Sequence, residues 1–337
     1  MSKKRTEKKH YGRRSWSRTL LLAVFGVAAV YAGVHCWLRA PDLKPQEDLL
    51  PVDNTDAQSA AEEAAAKAEA LAQAAHAERK PNCYTILVSG VDDGNGGSDT
   101  NILLSVDAEA GRIHGVSIPR DSKAVVNGKD HKINFAYNHG GIDLMAQTVS
   151  QQLGIPVDFT VSVDLDGFKA LVNAIDGVDF TVPIDMNYDD PKQDLSIHFT
   201  KGPQHLNGQQ ALEVVRFREN NDGTGYGTQD LGRMATQQSF LKAVAKQTLT
   251  LANVDKVGEF AKIFQKYVET DLTLGNMAWL GGEAIQMGVD SITFSTLPGE
   301  WKSPYIYLDR EAVLTLVNES LNPFVEARVA GDLQIPT

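Results

Sequence analysis

Two kinds of hydrophobic pattern run along this chain. The first is continuous: residues 19–38 hold no Lys, Arg, Asp or Glu. Twenty helical residues rise about 30 Å, the thickness of a bilayer's hydrocarbon core. The second kind starts near Cys83 and is broken into short runs. Residues 84–90, 101–107 and 112–119 read as strands, the first ending on Gly90. Residues 125–128 look like a strand entering a hairpin turn. A helix is expected over 142–153, ending at Gly154, then a strand over 159–163, a helix over 165–175 and a strand over 178–182. Helices follow over 208–216, 231–251, 255–268 and 276–287, a strand over 292–297, and a last helix over 310–321. Strands and helices interleave, so the expected class is α/β. A mixed central sheet is flanked by helices on both faces, and a single transmembrane helix precedes it.

Charge gives the apolar run an orientation. The 337 residues carry a formal net charge of −11, but residues 1–40 hold nine basic side chains and one acid. That segment is +8 and the rest is −19. The basic cluster precedes the apolar run, which keeps residues 1–18 in the cytoplasm and puts everything after residue 38 outside the cell. A cleaved signal peptide is the alternative, with Val30-Tyr31-Ala32 as its cleavage pattern. Against it, the run continues through Trp37 beside Arg39, as at the outer edge of an anchor.

Residues 39–82 read as a linker. Pro41, Pro45 and Pro51 mark an extended spacer, and 57–79, rich in Ala, Glu and Lys without Gly or Pro, suit a stalk helix of roughly 35 Å or a flexible tether. The extracellular domain is expected over 83–325, with a core of 83–250, completion by 251–325, and a tail of 326–337. Two cysteines exclude a disulfide scaffold and a Cys-based zinc module. Cys36 falls in the membrane run, and Cys83 is expected to be a free structural thiol. The acidic balance excludes a general nucleic-acid binder.

Four clusters carry candidate chemistry. Gly90-Val91-Asp92-Asp93 and Ser98-Asp99-Thr100 flank a Gly-rich loop. Carboxylates at facing strand ends can share a divalent cation, and one or two of them with substrate phosphate is the usual Mg²⁺ arrangement; the same residues also make a good turn. Ser117-Ile118-Pro119-Arg120-Asp121 ends a strand, and Arg there offers a planar fork that matches phosphate oxygens, or a surface ion pair. Lys132-Ile133-Asn134, Tyr137 and Gly140-Gly141 form a weaker third cluster. In the fourth, Arg216-Phe217-Arg218 would point both guanidiniums to one face if extended. Downstream, Arg233 falls in the first turn of a helix that Asp230 would cap, with Gln237 four residues on. Several Arg, a Lys and paired Asp suggest metal-assisted chemistry on phosphate or pyrophosphate. There is no G-x-S-x-G elbow, no H-E-x-x-H and no P-loop.

Taken together the chain resembles the LytR-CpsA-Psr family. The matching stretches are residues 87–92, 98–100, 118–121, 132–137, 140–141, 153–156, 163–168, 177–178, 202–208, 211–218 and 230–238. They stand in family order, strongly over 83–250 and more loosely over 251–325. The resemblance implies a transferase at a Gram-positive-type envelope. It would move a glycopolymer (wall teichoic acid, capsule or a related glycan) from a polyprenyl pyrophosphate carrier to peptidoglycan through a phosphodiester. By position, Asp92 and Asp99 would hold Mg²⁺, with Mn²⁺ as the substitute. Arg120, Lys132, Arg216, Arg218, Arg233 and Gln237 would grip the pyrophosphate, and Arg120, Asp121 and Asp92 would serve the reaction. An apolar groove between helices and sheet would take the lipid; residues 305–308 and the last helix either cover it or complete the core. Gly97 and Thr236 stand where many members carry Arg. A polyprenyl-pyrophosphate hydrolase and a non-catalytic lipid-binding or regulatory membrane protein are the competing readings. No nucleic-acid partner is implied, only lipid-linked glycan, peptidoglycan and membrane lipid.

Overall fold

The computed structural model describes residues 39–43, 77–92, 97–192, 195–227, 230–248 and 257–337. The expected membrane helix, nearly all of the linker and Asp93 lie outside the described residues. Among the described residues, no helix is long and apolar enough to cross a membrane.

The centre is a six-stranded mixed sheet. Strands β1 (Cys83–Asp92), β2 (Gly97–Asp107) and β3 (Arg112–Ser117) form an antiparallel meander. The next two strands, β4 (Lys123–Val126) and β5 (Lys129–Lys132), form a separate hairpin beside it. Then β6 (Phe159–Asp164) adds parallel to β1. At the edges, β11 (Val268–Thr270) runs antiparallel to β6, and β12 (Ile292–Thr296) runs parallel to β3. The order is β11-β6-β1-β2-β3-β12. Strands β1, β3, β6 and β12 therefore end at the same edge of the sheet, where β2 begins.

One face carries Leu87, Leu103, Val116 and Ile118. Helix α1 (Asn134–Leu153) covers it with Ala136, Ile142, Met145, Val149 and Leu153. That helix begins eight residues before the sequence expectation and breaks in the middle. Gly140 and Gly141 leave helical geometry, and Gly141 has φ 64° and ψ −157°, a conformation open to glycine alone. Residues 310–321 complete the same core: α7 (Arg310–Leu316) passes into a π-helical turn, Val317–Leu321, with Val313, Val317 and Leu321 fully buried. Residues 326–337, read from sequence as a tail, run back over this core. Leu333 and Ile335 are buried in it, and the Arg310 guanidinium donates to the carbonyls of Ala330, Leu333 and Ile335. The few apolar residues of this segment follow neither a helical nor a strand period, which gives too little pattern to reveal that docking.

The other face carries Tyr84, Ile86, Val106, Ile113, Phe159 and Ile292. Helix α6 (Leu274–Met287), started by a Thr273–Asn276 capping box, joins the two edge strands and so crosses the whole width of this face.

A lobe beside the sheet has its own core. It is built from α2 (Leu165–Ala174), α3 (Gly208–Arg216) and α4 (Asp230–Thr248). The strand pairs β7–β10 (Val178–Val182, Gly202–Leu206) and β8–β9 (Met186–Asp190, Leu195–Phe199) complete it. Strands β8 to β10 were not expected: each has only five residues, and β8 and β10 carry few apolar side chains, although Leu195, Ile197 and Phe199 of β9 do alternate. Helix α5 (Val257–Tyr267) precedes β11. Cys83 is a buried free thiol, as expected, and burial pushes its pKa up, reinforced by Asp107.

Candidate functional site at the strand ends

The site begins with an irregularity in pairing. Gly90 faces Thr100, but Val91 faces Ser98, so Asp99 is an extra residue on β2. Such a bulge re-aims a side chain, and Asp99 points outward with its carboxylate 56% exposed. Beneath it, Ser89 Oγ donates to Asn101 Oδ1 at 2.8 Å, and the Asn101 carbonyl accepts from Ile118 N–H at 2.8 Å. That second bond ties the chain after β3 to the bulge. Two residues later Arg120 donates to Asp99 Oδ1 at 2.5 Å. The sequence-predicted Arg and Asp are therefore one ion pair at the sheet edge. Asp92 is the last residue of β1 and pairs with Gly97, two residues from Asp99.

Asp121 and Lys132 form a neighbouring pair at 2.8 Å, with the Asp121 side chain only 17% exposed. Around them Ile133 N–H donates to the Ser122 carbonyl, and Asn134 N–H to that of Arg120. The start of α1 is thus fastened to the arginine-bearing turn. Tyr137 reaches Ser162 Oγ on β6 at 3.0 Å.

The remaining arginines come from the lobe. Arg216 is the last residue of α3, where a cation complements the helix dipole. Phe217, 1% exposed, is its extended cap, and Arg218 follows outside the helix. The pair straddles a helix end rather than lying in one extended strand, because Phe217 is drawn into the lobe core. Arg233 sits on α4 and is 7% exposed. Two glutamines fix that helix: Gln237 Nε2 donates to the Val215 carbonyl at 3.0 Å. Gln238 Nε2 lies 3.1 Å from Ser117 Oγ, 3.0 Å from the Ser295 carbonyl and 2.9 Å from Thr296 Oγ1. Helix α4 is therefore pinned both to the end of α3 and to the ends of β3 and β12. That brings Arg216, Arg218 and Arg233 toward the edge that carries Arg120.

Sequence reasoning gave Gln238 no role and missed a clamp around Tyr226. Tyr226 meets the Phe217 ring edge-on at 5.6 Å and bonds Thr236 Oγ1 at 2.9 Å. Its ring lies over Gly232, where an added Cβ would come within 2.2 Å of Tyr226. Burial raises the Tyr226 phenol above its usual pKa. Thr236 thus belongs to a neutral hydroxyl pair.

Below the edge, the α6 face mixes buried side chains with partly buried ones. Val88, Leu104, Val161 and Phe294 on the sheet, and Met277, Trp279, Leu280 and Met287 on α6, are all partly buried. Within α6 itself only Gly275 is fully buried. This is an apolar surface that its own helix does not close.

Among the described residues there is no group of three or more His, Cys, Asp or Glu side chains placed to hold a metal. Asp99, more than half exposed and a hard oxygen donor, fits Mg²⁺ as one of the one or two carboxylates such an ion takes alongside phosphate oxygens.

A model of the LytR_cpsA_psr family matches residues 52–326. A polyisoprenyl-teichoic acid–peptidoglycan teichoic acid transferase of Bacillus cereus, TagU, is 38% identical over 203 residues, 59% of this chain and 63% of that protein. A second such transferase, TagV of Bacillus subtilis, is 35% identical over 210 residues, 58% of this chain and 51% of that protein. The match thus spans about three fifths and about half of these relatives' own lengths. The crystal structure of B. subtilis TagV superposes with a TM-score of 0.60 at 29% identity, covering 69% of this chain and 94% of that one.

Proposed function

This chain belongs to the LytR-CpsA-Psr family, and from that membership we propose that it transfers a glycopolymer from a polyprenyl pyrophosphate carrier to peptidoglycan at the cell envelope. The observation that carries the reading is the edge itself. An Asp99–Arg120 pair stands on a bulge, a helix bearing Arg233 is pinned beside it, and an unclosed apolar face lies below. A molecule with an anionic centre and an apolar tail matches that arrangement.

In this reading Arg120, Arg216, Arg218 and Arg233 hold the pyrophosphate, and Arg120 exchanges Asp99 for phosphate oxygens. Lys132, paired to Asp121 at 2.8 Å, holds that carboxylate in place. Mg²⁺ or Mn²⁺, held by Asp92 and Asp99, would supply further charge neutralisation. The acceptor hydroxyl attacks the glycan-side phosphorus and gives its proton to a carboxylate of the site, Asp121 or Asp92, a new P–O bond forms, and the bond to the bridging oxygen breaks to release the lipid phosphate. Catalysis is positioning plus charge stabilisation. The tail lies along Val88, Leu104 and Phe294 beneath α6. The Arg39 carbonyl accepts from Asn276 in the first turn of α6 at 3.1 Å. An anchor over 19–38, with the basic tail inside, would thus leave the bilayer beside that face.

The test uses the full chain in detergent with a polyprenyl-pyrophosphate-linked sugar, a peptidoglycan oligomer and Mg²⁺. Mass spectrometry should find a phosphodiester-linked adduct that EDTA abolishes. Arg120→Ala should lose about 10²–10³ in kcat, roughly 2.7–4 kcal/mol of barrier. Near-normal turnover by that variant sinks the assignment. Phosphate release at one rate with and without acceptor would mark a hydrolase instead.

A further inference from the structure

Trp301 is the one aromatic residue among the large hydrophobics left exposed in the described residues, at 51%. It sits on a hairpin, β13 (Gly299–Lys302) and β14 (Tyr305–Leu308), opposite Ile306. The hairpin rises from the site edge. Leu297, just before it, donates to the Ser117 carbonyl at 3.0 Å, and Ile306 N–H donates to the Asp121 carbonyl at 2.9 Å. Below, Leu308 is buried and Ile306 packs in the α1-side core. The hairpin therefore stands on the α1 side of the sheet, opposite the α6 face. Lys132 Nζ, paired to Asp121, lies 5.9 Å from the Trp301 ring centroid. Ring, ammonium and carboxylate thus lead from solvent to the residue beside Arg120.

We propose that Trp301 is a stacking platform for a sugar ring of the acceptor glycan strand, an inference that rests on the transferase reading above. In phosphoryl transfer the attacking and leaving oxygens are roughly in line. The leaving lipid phosphate belongs to the α6 face, so the attacking hydroxyl arrives from the α1 face, and Trp301 stands there. A pyranose presents an apolar face of C–H bonds, and these pack on the negative face of an indole. Glu300 and Lys302, paired at 2.9 Å, take the opposite face of β13, and Lys132 beside the ring offers the polar group suited to hydroxyls and amides at a sugar's rim.

The experiment uses the full chain in detergent. The probe is a peptide-free tetrasaccharide of alternating N-acetylglucosamine and N-acetylmuramic acid. Without donor, the tetrasaccharide should change the tryptophan fluorescence saturably, and Trp301→Phe should remove that change. With donor, Trp301→Ala should raise the acceptor KM about tenfold and the donor KM less than twofold, and Trp301→Phe should recover most of the acceptor KM. An unchanged acceptor KM in Trp301→Ala overturns the proposal. So does a raised donor KM, which would make the ring a donor contact. Quenching of Trp301 by anionic vesicles but not by the tetrasaccharide also overturns it, in favour of membrane contact. If the wild type forms no adduct, the transferase reading fails, and the fluorescence titration still decides whether Trp301 holds the glycan.

Discussion

Leu103 and Leu104 are neighbours on one strand and live in different surroundings. Leu103 faces α1 and is fully buried among Leu87, Val116 and Met145. Leu104 faces α6 and is only partly buried, beside Val88 and Phe294. On the α1 face, the core around Leu87, Leu103 and Val116 is closed by a helix, a π-turn and the chain's last residues. The α6 face has a buried core around Ile86, Val106 and Phe159 but leaves Val88, Leu104, Val161 and Phe294 partly exposed. In the reading proposed above, one sheet divides its labour: one side holds the fold, and the other takes the lipid.

That contrast can be broken by substitution. Leu103→Ala should cost about 2–5 kcal/mol in urea unfolding, the range for a large-to-small change in a packed core, with the donor KM unchanged. Gln238→Leu acts where the lobe meets the sheet. It strands the Ser117 and Thr296 hydroxyls, so about 1–3 kcal/mol of stability should go, with kcat/KM falling as α4 loosens. Leu104→Ala should cost only about 1 kcal/mol, since part of its surface is already wet, yet it should weaken the lipid-linked donor. Equal stability losses at 103 and 104 would erase the distinction between the faces.

The smallest effect concerns His114 on the α1 face. Its ring nitrogens lie 2.7 Å from Thr293 Oγ1 and 2.9 Å from Ser295 Oγ, and burial, aided by the Arg112 charge, lowers its pKa. The unfolded chain takes up this proton near pH 6.5 while the folded imidazole still resists it. The unfolded state then binds more protons, so stability falls as the pH drops below that value. Thermal unfolding between pH 7 and 5 should show the fall, and His114→Gln should flatten part of it.

The sheet was legible wherever apolar runs were long. Residues 84–90, 101–107, 112–119 and 159–163 all became strands of the central sheet. Helices α2 and α3 follow their predicted spans closely, helped by caps at Asp164 and Asn207. Five-residue polar strands such as β10 were invisible, because their pairing comes from neighbours and not from periodicity. Asp99, Arg120, Asp121 and Lys132 at the sheet edge were singled out, yet the Asp99–Arg120 contact could not be read from spacing. It depends on a one-residue bulge, and only backbone pairing reveals one. Tyr226, Gln238 and Trp301 were missed for the same kind of reason: a Tyr in a glycine-rich loop, a helical Gln and a lone Trp announce no role until their neighbours are known. Gly232, which the Tyr226 ring needs bare, was the one available hint.

The bulge has a consequence beyond aiming Asp99. It acts as a slip joint in the ladder. Pairing from Cys83 to Gly90 keeps one register, and pairing from Val91 onward keeps another. Changes in the loop that follows Asp92 can shift the second register without dragging the first, so the side chains of the core stay on their assigned faces. The mouth of the site is free to diversify from one chain to the next over a floor that does not move.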